Sequence, residues 1–130
     1  MTITLYQPDD YPTIDAWWKA RGTTPTPENC LPRLGVIIRD HAGEAIFAAW
    51  VSMDNSCGIA FLLFPVSKPE TPPSTIAASL SHTVGYFAEI LKDLGYHTLL
   101  SGTHRHSLAR SLESLGFTPP ESVLFQTLAI

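Results

Sequence analysis

Two histidines and an arginine form the segment of this chain whose side chains are best suited to chemistry. His104 and His106 flank Arg105, just before a short stretch of regularly spaced leucines. An imidazole titrates near neutral pH, so either histidine could act as a general base or contact a thiol or a phosphate. The pair could also ligate zinc, but no third ligand has a recognisable spacing, so no metal site is predicted. The simpler interpretation is the solvated start of a helix capped by Thr103.

Other polar side chains are weaker candidates. Asp54 and Asn55 stand between two apolar stretches, where they either form a turn or line a substrate site. Cys57 could be a nucleophile only if its thiolate were favoured, and no basic residue lies beside it in the sequence. His82 fits the polar face of a helix. The chain has no nucleophile elbow, no phosphate-binding Walker loop and no paired carboxylates, so none of these motifs supplies a function.

Composition limits the class of protein. The 130 residues fit one domain spanning 1–130, and a hydrophobic content of 45% with 15% charged residues is typical of a folded chain. The net charge of −4, without a basic cluster, argues against a nucleic-acid partner. Two cysteines are too few for a disulfide framework, which favours reduced thiols and a cytoplasmic location. No apolar run has the length of a signal peptide or of a membrane span, so no membrane association is expected.

Apolar spacing predicts the elements that must position these side chains. The long amphipathic helix runs from Ile76 to Leu94 and ends at Gly95, and the last helix carries the stripe Leu108, Leu112 and Leu115. A short first helix has Asp9 and Asp10 as candidate N-caps and Pro12 in its first turn, carries Ile14, Trp17, Trp18 and Arg21, and ends at Gly22. Thr23 to Pro32 then forms an irregular loop. Strands are predicted over Thr2 to Tyr6, Leu34 to Arg39, Ala45 to Met53, Ile59 to Val66, Thr98 to Leu100 and Val123 to Ile130.

The order of these elements predicts an α/β fold with a mixed sheet and helices on both of its faces. The segment from Ile59 to Leu100 should be a right-handed crossover between parallel strands. The run from Ile59 to Val66 is apolar throughout and predicts a strand covered on both sides, with pairing loosened at Pro65. An exposed last strand, Val123 to Ile130, could pair across a two-fold axis and form a homodimer.

This order, with the helix and Leu-Gly-Phe ending of Ser107 to Phe117, resembles the GNAT family of N-acetyltransferases. The likeness covers the whole chain as topology and is specific in its motifs from Ile59 to Phe117. An early tryptophan-containing helix and the turn Asn55-Ser56 also resemble small acetyltransferase-like proteins of bacteriophages. The resemblance implies acetyl-CoA as co-substrate and an amine acceptor, which remains unknown. It also gives Trp17, Trp18 and Trp50 two interpretations, as the lining of an acceptor pocket or as core.

The resemblance implies where acetyl-CoA would lie. The pantetheine would follow the open edge of the strand that ends at Val66, and the diphosphate would face backbone amides at the start of the long helix, where the dipole favours an anion. Arg105 would lie at the mouth of this cleft, and Lys68 could face a phosphate. The residues implied in binding are Leu63, Phe64, Val66, Lys68, Ser74, Thr75, Ile76, Ala77 and Arg105.

The chain departs from the family pattern where binding and proton transfer would occur. Residues 67–77 contain no glycine, Pro72 and Pro73 lack amide donors, and Glu70 adds a negative charge. Leu112 stands where many members have a tyrosine acid, and residues 59–64 lack a glutamate base. Because amine acetylation can run mainly by positioning, two hypotheses remain open. One is an acetyl-CoA-dependent N-acetyltransferase with a degenerate CoA motif. The other is a catalytically inactive protein of the same fold used in binding or assembly.

Overall fold

A five-stranded sheet forms the centre of the protein. The computed structural model describes residues 1–103, 105–122, 126 and 128–129. The strands lie side by side in chain order; the first four pair antiparallel and the last pair is parallel. Their bounds are β1 Thr2–Leu5, β2 Leu34–Arg39, β3 Ala45–Met53, β4 Ile59–Ser67 and β5 Thr98–Ser101. The predicted mixed sheet and the parallel crossover from β4 to β5 are confirmed.

Three α-helices surround the sheet: α1 Tyr11–Ala20, α2 Pro73–Asp93 and α3 His106–Ser114. Single turns of 3-10 helix at Pro8–Asp10 and Glu28–Cys30 complete the regular structure of the described residues. The two later helices are followed by Gly95 and Gly116 at φ +88° and +100°. That conformation is unfavourable for any residue with a Cβ, which is why the sequence marks both helix ends clearly.

The helices cover opposite faces of the sheet. On one face α1 places Ile14, Trp17 and Trp18 against Ile37 and Trp50. On the other face the stripe of α2, including Leu80 and Phe87, packs with Leu112 of α3 against the inner residues of β2, β3 and β4. Burying an apolar stripe on each face removes it from water, which is the main favourable contribution to folding. The predicted arrangement of helices on both faces is therefore confirmed.

A glycine shapes the floor beneath α1. Gly35 pairs with Trp50 on the neighbouring strand, and a Cβ at position 35 would lie 2.3 Å from the indole. The indole therefore lies flat over the backbone of β2, stacked on Trp18 at 6.0 Å and meeting Tyr6 edge-on at 5.2 Å. All three tryptophans are buried, so they form core, the second of their two predicted interpretations.

Two expectations about the strands need comment. Phe61 is 40% exposed, so β4 is not covered on both sides along its whole length as predicted. The reason is that the buried cluster under α1 includes Val66 at the far end of β4 but not Phe61. The predicted last strand, Val123 to Ile130, lies outside the described residues apart from positions 126, 128 and 129, so the homodimer stays a prediction. Among the described helices, none is long and apolar enough to cross a membrane.

Candidate functional site

Strands β4 and β5 part within the sheet. Their parallel pairing begins at Ile59 with Thr98 and ends at Leu62 with Ser101. Strand β4 nevertheless continues to Ser67, still paired to β3 on its other side. Residues 63–67 therefore have a neighbouring strand on one side only, and this stretch is called the open edge below. Its unpaired backbone groups can accept an extended ligand in place of a strand.

A bulge lies at the start of the open edge. Trp50 pairs with Leu63 and Ala48 pairs with Val66, so both Phe64 and Pro65 stand opposite Ala49. Phe64 has a φ of 56°, which is uncommon for a residue other than glycine, asparagine or aspartate. An extra residue of this kind bends a strand and locally disrupts its ladder. The loosening predicted at Pro65 is confirmed, and Pro65 contributes no N–H at the bend.

The side chain of Arg21, the residue that follows α1, already donates hydrogen bonds to the backbone at the end of β4. The Lys68 amide donates to the Ile46 carbonyl at 2.9 Å, so by the alternation of a ladder the Ser67 carbonyl points to the open side. Arg21 donates from Nε to this carbonyl at 3.1 Å and from Nη2 to Ser67 Oγ at 2.6 Å. A third contact joins Nη2 to the Lys68 carbonyl at 3.4 Å. Arg21 thus lies at the far end of the open edge.

The connection from β4 to α2 has few amides left for an anion. The amides of Thr75 and Ile76 both donate to the Pro72 carbonyl at 3.0 Å, and that of Thr71 donates to the Lys68 carbonyl at 3.2 Å. Prolines at 69, 72 and 73 have none. Among the described backbone bonds outside the regular elements, the amides of Glu70 and Ser74 donate to no acceptor. Of the predicted diphosphate ligands before Ala77, only the amide of Ser74 is thus unengaged.

Lys68, the cation predicted to face a phosphate, is paired with a carboxylate of the chain. Lys68 Nζ lies 2.9 Å from Glu44 Oε2, and both side chains are well exposed. An exposed pair of this kind contributes little to stability, and a competing anion could separate it. The structure places Lys68 beside the hairpin of β2 and β3, and its predicted contact with a phosphate stays a prediction.

The start of α3 lies beyond the carboxyl end of β5. Arg105 immediately precedes α3, and its amide donates to Thr103 Oγ1 at 3.0 Å. His106 is the first residue of the helix, and both side chains are exposed. His104 lies outside the described residues. Because parallel strands end at the same edge of a sheet, Arg105 and His106 are at the same end of the sheet as the open edge.

Neither position 112 nor strand β4 supplies the acid and the base that the family resemblance implies. Leu112 is 4% exposed and packs in the apolar cluster shared by α2 and α3. Strand β4 carries no carboxylate. Within the described residues, no three histidine, cysteine or acidic side chains gather where they could hold a metal ion. The cleft therefore offers backbone groups and shape rather than an evident proton carrier.

The opposite end of β4 is a tightly bonded turn. Asp54 Oδ1 accepts from the Ser56 amide at 2.7 Å and from Ser56 Oγ at 2.6 Å. These hydrogen bonds from Ser56 hold the pKa of the Asp54 carboxyl below its ordinary value. Tyr96 Oη donates to the Asp54 carbonyl at 2.6 Å. Asp54 and Asn55 therefore lie in a turn, the first of their two predicted interpretations, and the exposed thiol of Cys57 lies at the same end.

Two buried polar atoms lie under α1. Tyr6 Oη and Trp50 Nε1 have no hydrogen-bond partner among the described residues. Burial raises the pKa of the Tyr6 phenol, and the carboxylates of Glu28 and Asp10 raise it further. Tyr6 also borders a groove of about 410 Å³ formed with residues of the loop before β2. None of the residues that line this groove belongs to the open edge.

The structure brings together some of the residues that were predicted to bind acetyl-CoA. Leu63, Phe64 and Val66 form the open edge, and Ser74, Thr75, Ile76 and Ala77 begin the helix that follows it. Sequence reasoning missed Arg21, whose contact spans 46 positions of the chain. Its only signal was a cation beside the glycine that ends α1.

Comparison with known proteins identifies the fold. An acetyltransferase of Trypanosoma brucei superposes with a TM-score of 0.69 at 11% identity, covering 98% of this chain and 99% of that one. AAC(6′)-Iy, in complex with the bisubstrate analogue CoA-S-monomethyl-acetylneamine, superposes with a TM-score of 0.71 at 15% identity, covering 99% and 98%. The fold is that of the GNAT acetyltransferases.

A third similar structure is that of an aminoglycoside acetyltransferase. The aminoglycoside 6′-N-acetyltransferase AAC(6′)-Ih of Acinetobacter baumannii superposes with a TM-score of 0.60 at 18% identity, covering 99% of this chain and 98% of that one. No family model and no curated protein matches the sequence. The likeness to the acetyltransferase fold therefore lies in the three-dimensional arrangement, which the GNAT resemblance of the sequence anticipated.

Proposed function

We propose that this protein is an acetyl-CoA-dependent N-acetyltransferase. The observation that carries the proposal is the open edge, where β4 continues past the end of β5 beyond a bulge at Phe64. A pantetheine chain has amides that can pair with such an edge as an added strand would. The neighbouring structure that holds a CoA bisubstrate analogue has the same fold over nearly its whole length.

The reaction is the transfer of an acetyl group from sulfur to nitrogen. The lone pair of a neutral amine attacks the thioester carbonyl, and the carbon–sulfur bond then breaks. The nitrogen loses a proton, and the departing thiolate gains one to become the thiol of CoA. Backbone N–H groups beside the bulge would face the carbonyl oxygen as negative charge develops on it. Pro65 supplies no such donor, so fewer amides are available at this bend.

Positioning is the main contribution that this cleft offers to catalysis. Holding the amine against the thioester replaces a bimolecular encounter by a local one. With an apolar residue at 112 and no acid on β4, protons would pass to water or to a histidine near the start of α3. His104 and His106 are the candidates for that role. Their replacement by glutamine, singly and together, should lower the rate at pH values where an imidazole is neutral, if either histidine accepts the proton.

The acceptor would be an amine. One similar structure is an aminoglycoside 6′-N-acetyltransferase, and another holds a bisubstrate analogue that contains acetylneamine. Amino sugars are therefore the acceptor class to test first. The net charge of −4 is compatible with a cationic acceptor. No described carboxylate lies on the open edge, so charge alone does not select the substrate.

Calorimetric titration with acetyl-CoA and an assay of thiol release over a panel of amines test the proposal. We expect saturable binding and thiol release that depends on an amine. A matched pair of variants, Leu63→Arg at the half-buried start of the open edge and Ala88→Arg on the exposed face of α2, separates a blocked cleft from a general effect of added charge, and thermal unfolding of both checks that they fold. Absence of binding at millimolar acetyl-CoA would overturn the proposal.

A second function is favoured by the apolar Leu112 and by the engaged amides of Thr71, Thr75 and Ile76. It is a non-catalytic protein of the same fold that serves in binding or assembly. Acetyl-CoA binding without thiol release for any amine would support this second function. Turnover that disappears in a folded Leu63→Arg variant and persists in Ala88→Arg would contradict it.

A further inference from the structure

The guanidinium of Arg21 is held at the end of the open edge by neutral oxygens alone. Its three described hydrogen bonds run from Nε and Nη2 to Ser67 and Lys68. Ser67 is 7% exposed, so the side chain that anchors Arg21 is itself buried. The bonds fix the plane of the guanidinium without neutralising its charge.

Three of the other seven lysine and arginine side chains have a described acidic partner. Lys19 pairs with Asp15, Arg39 with Asp10 and Lys68 with Glu44. Among the described residues no carboxylate lies within ion-pair distance of Arg21, and Nη1 makes no hydrogen bond. A positioned guanidinium whose charge is not neutralised, with both N–H groups of Nη1 unused, can donate a charge-assisted hydrogen bond to a phosphate.

Arg21 lies beside a connection whose backbone has few free amide donors for an anion. The connection that follows Ser67 has prolines at 69, 72 and 73 and contains Glu70, which would repel an anion. The amides of Thr71, Thr75 and Ile76 are already bonded within the connection. An anion at the start of α2 would therefore find little support from the backbone, while the charge of Arg21 lies at the first residues of the same connection.

We propose that Arg21 binds the diphosphate of acetyl-CoA and replaces the backbone amides that this connection lacks. The inference rests on the proposed function and adds a binding residue that immediately follows α1. A consequence is that the Ser67 carbonyl is already occupied, so the pantetheine pairs with the open edge before Ser67. The ligand is thus held by its thioester end at the bulge and by its phosphates at Arg21.

Calorimetry with CoA at several salt concentrations tests this assignment. We expect Arg21→Met, which keeps the aliphatic stem, to weaken CoA binding at least tenfold and to reduce the dependence of affinity on salt. Arg21→Lys should lie between the two, because it keeps the charge and loses the fork. The matched control is Arg39→Met, which removes a cation paired with Asp10 and should leave CoA affinity within twofold of the original protein.

The outcomes separate this inference from the proposed function. If the original protein binds CoA and Arg21→Met binds it equally well with the same salt dependence, Arg21 does not contact the phosphates. An equal loss in Arg39→Met would also overturn the assignment, since general charge would then explain the effect. If the original protein binds no CoA, the proposed function itself fails. Thermal unfolding of each variant shows whether a loss of binding reflects a loss of folded protein.

Discussion

The two halves of β4 differ in how many neighbouring strands they pair with. Its first half is paired on both sides, and the turn before it is joined to the start of β5 by bonds from Tyr96 and His97. Its second half has one neighbouring strand, a bulge at Phe64 and a side chain from α1 at its end. The closed end fixes β5 in place, and the open end leaves backbone groups for a ligand. Stability and binding should therefore respond to mutations at different ends.

The largest expected effect concerns stability at the closed half. Leu62 is 1% exposed, and Leu62→Ala should lower the free energy of unfolding by about 2–5 kcal/mol because it leaves a cavity in the core. Leu63→Ala, one residue further on at a half-buried position, should cost about 1 kcal/mol. Urea unfolding of both variants measures the difference. Equal losses would mean that the two halves do not differ in packing.

A smaller loss is expected from the bond that ties the turn to β5. Tyr96→Phe removes the hydrogen bond from Oη to the Asp54 carbonyl and should cost about 0.5–1.5 kcal/mol. Tyr86→Phe is the control, because no described hydrogen bond involves the Tyr86 hydroxyl and the change should stay within about 0.5 kcal/mol. Thermal unfolding reports both. If CoA affinity also fell in Tyr96→Phe, the two ends would be coupled.

At the open end the expected effect is on binding. Glu70→Gln removes a negative charge from the connection that follows the open edge and should tighten CoA binding about two- to fivefold at low salt. Glu89→Gln removes the same charge from the exposed face of α2 and should leave the affinity unchanged. Calorimetry measures both. Equal tightening in the two variants would show that net charge, rather than the site, is responsible.

The smallest effect is a pH dependence at the closed end. The pKa of Asp54 is lowered by hydrogen bonds from Ser56, so its contribution to stability is present above the ordinary value of 3.8 and is lost as the pH falls through the lowered value. Asp54→Asn should therefore be slightly less stable than the original protein at neutral pH, and the difference should close in strong acid. Urea unfolding at several pH values tests this. A difference that does not change with pH would place its origin elsewhere.

Local patterns predicted much of the fold. Strands β2 and β3 have the bounds that their alternation and turn chemistry indicated, and Pro65 marked the bulge because a residue without an N–H weakens a ladder. The exposure of Phe61 was missed because the reach of α1 across the sheet depends on how the helix packs. Periodicity describes one element at a time and does not contain that information.

Only those parts of the site whose residues are continuous in sequence could be predicted. The open edge and the start of α2 are continuous in sequence, so an apolar run followed by prolines located them. Arg21 and the pairing of Lys68 with Glu44 depend on contacts between distant segments. The sequence indicates that a cation follows the first helix, but its neighbour is decided by the fold.

The side-by-side order of the strands also bears on how the protein folds. Every neighbouring pair in the described sheet is consecutive in the chain, and only short turns join β2, β3 and β4. Short loops close at a low entropic cost, so these three strands can assemble first. Strand β5 must wait for the 21 residues of α2 to cross the sheet. The cleft therefore comes into existence with the last step of assembly on that side, when β5 docks along only the first half of β4.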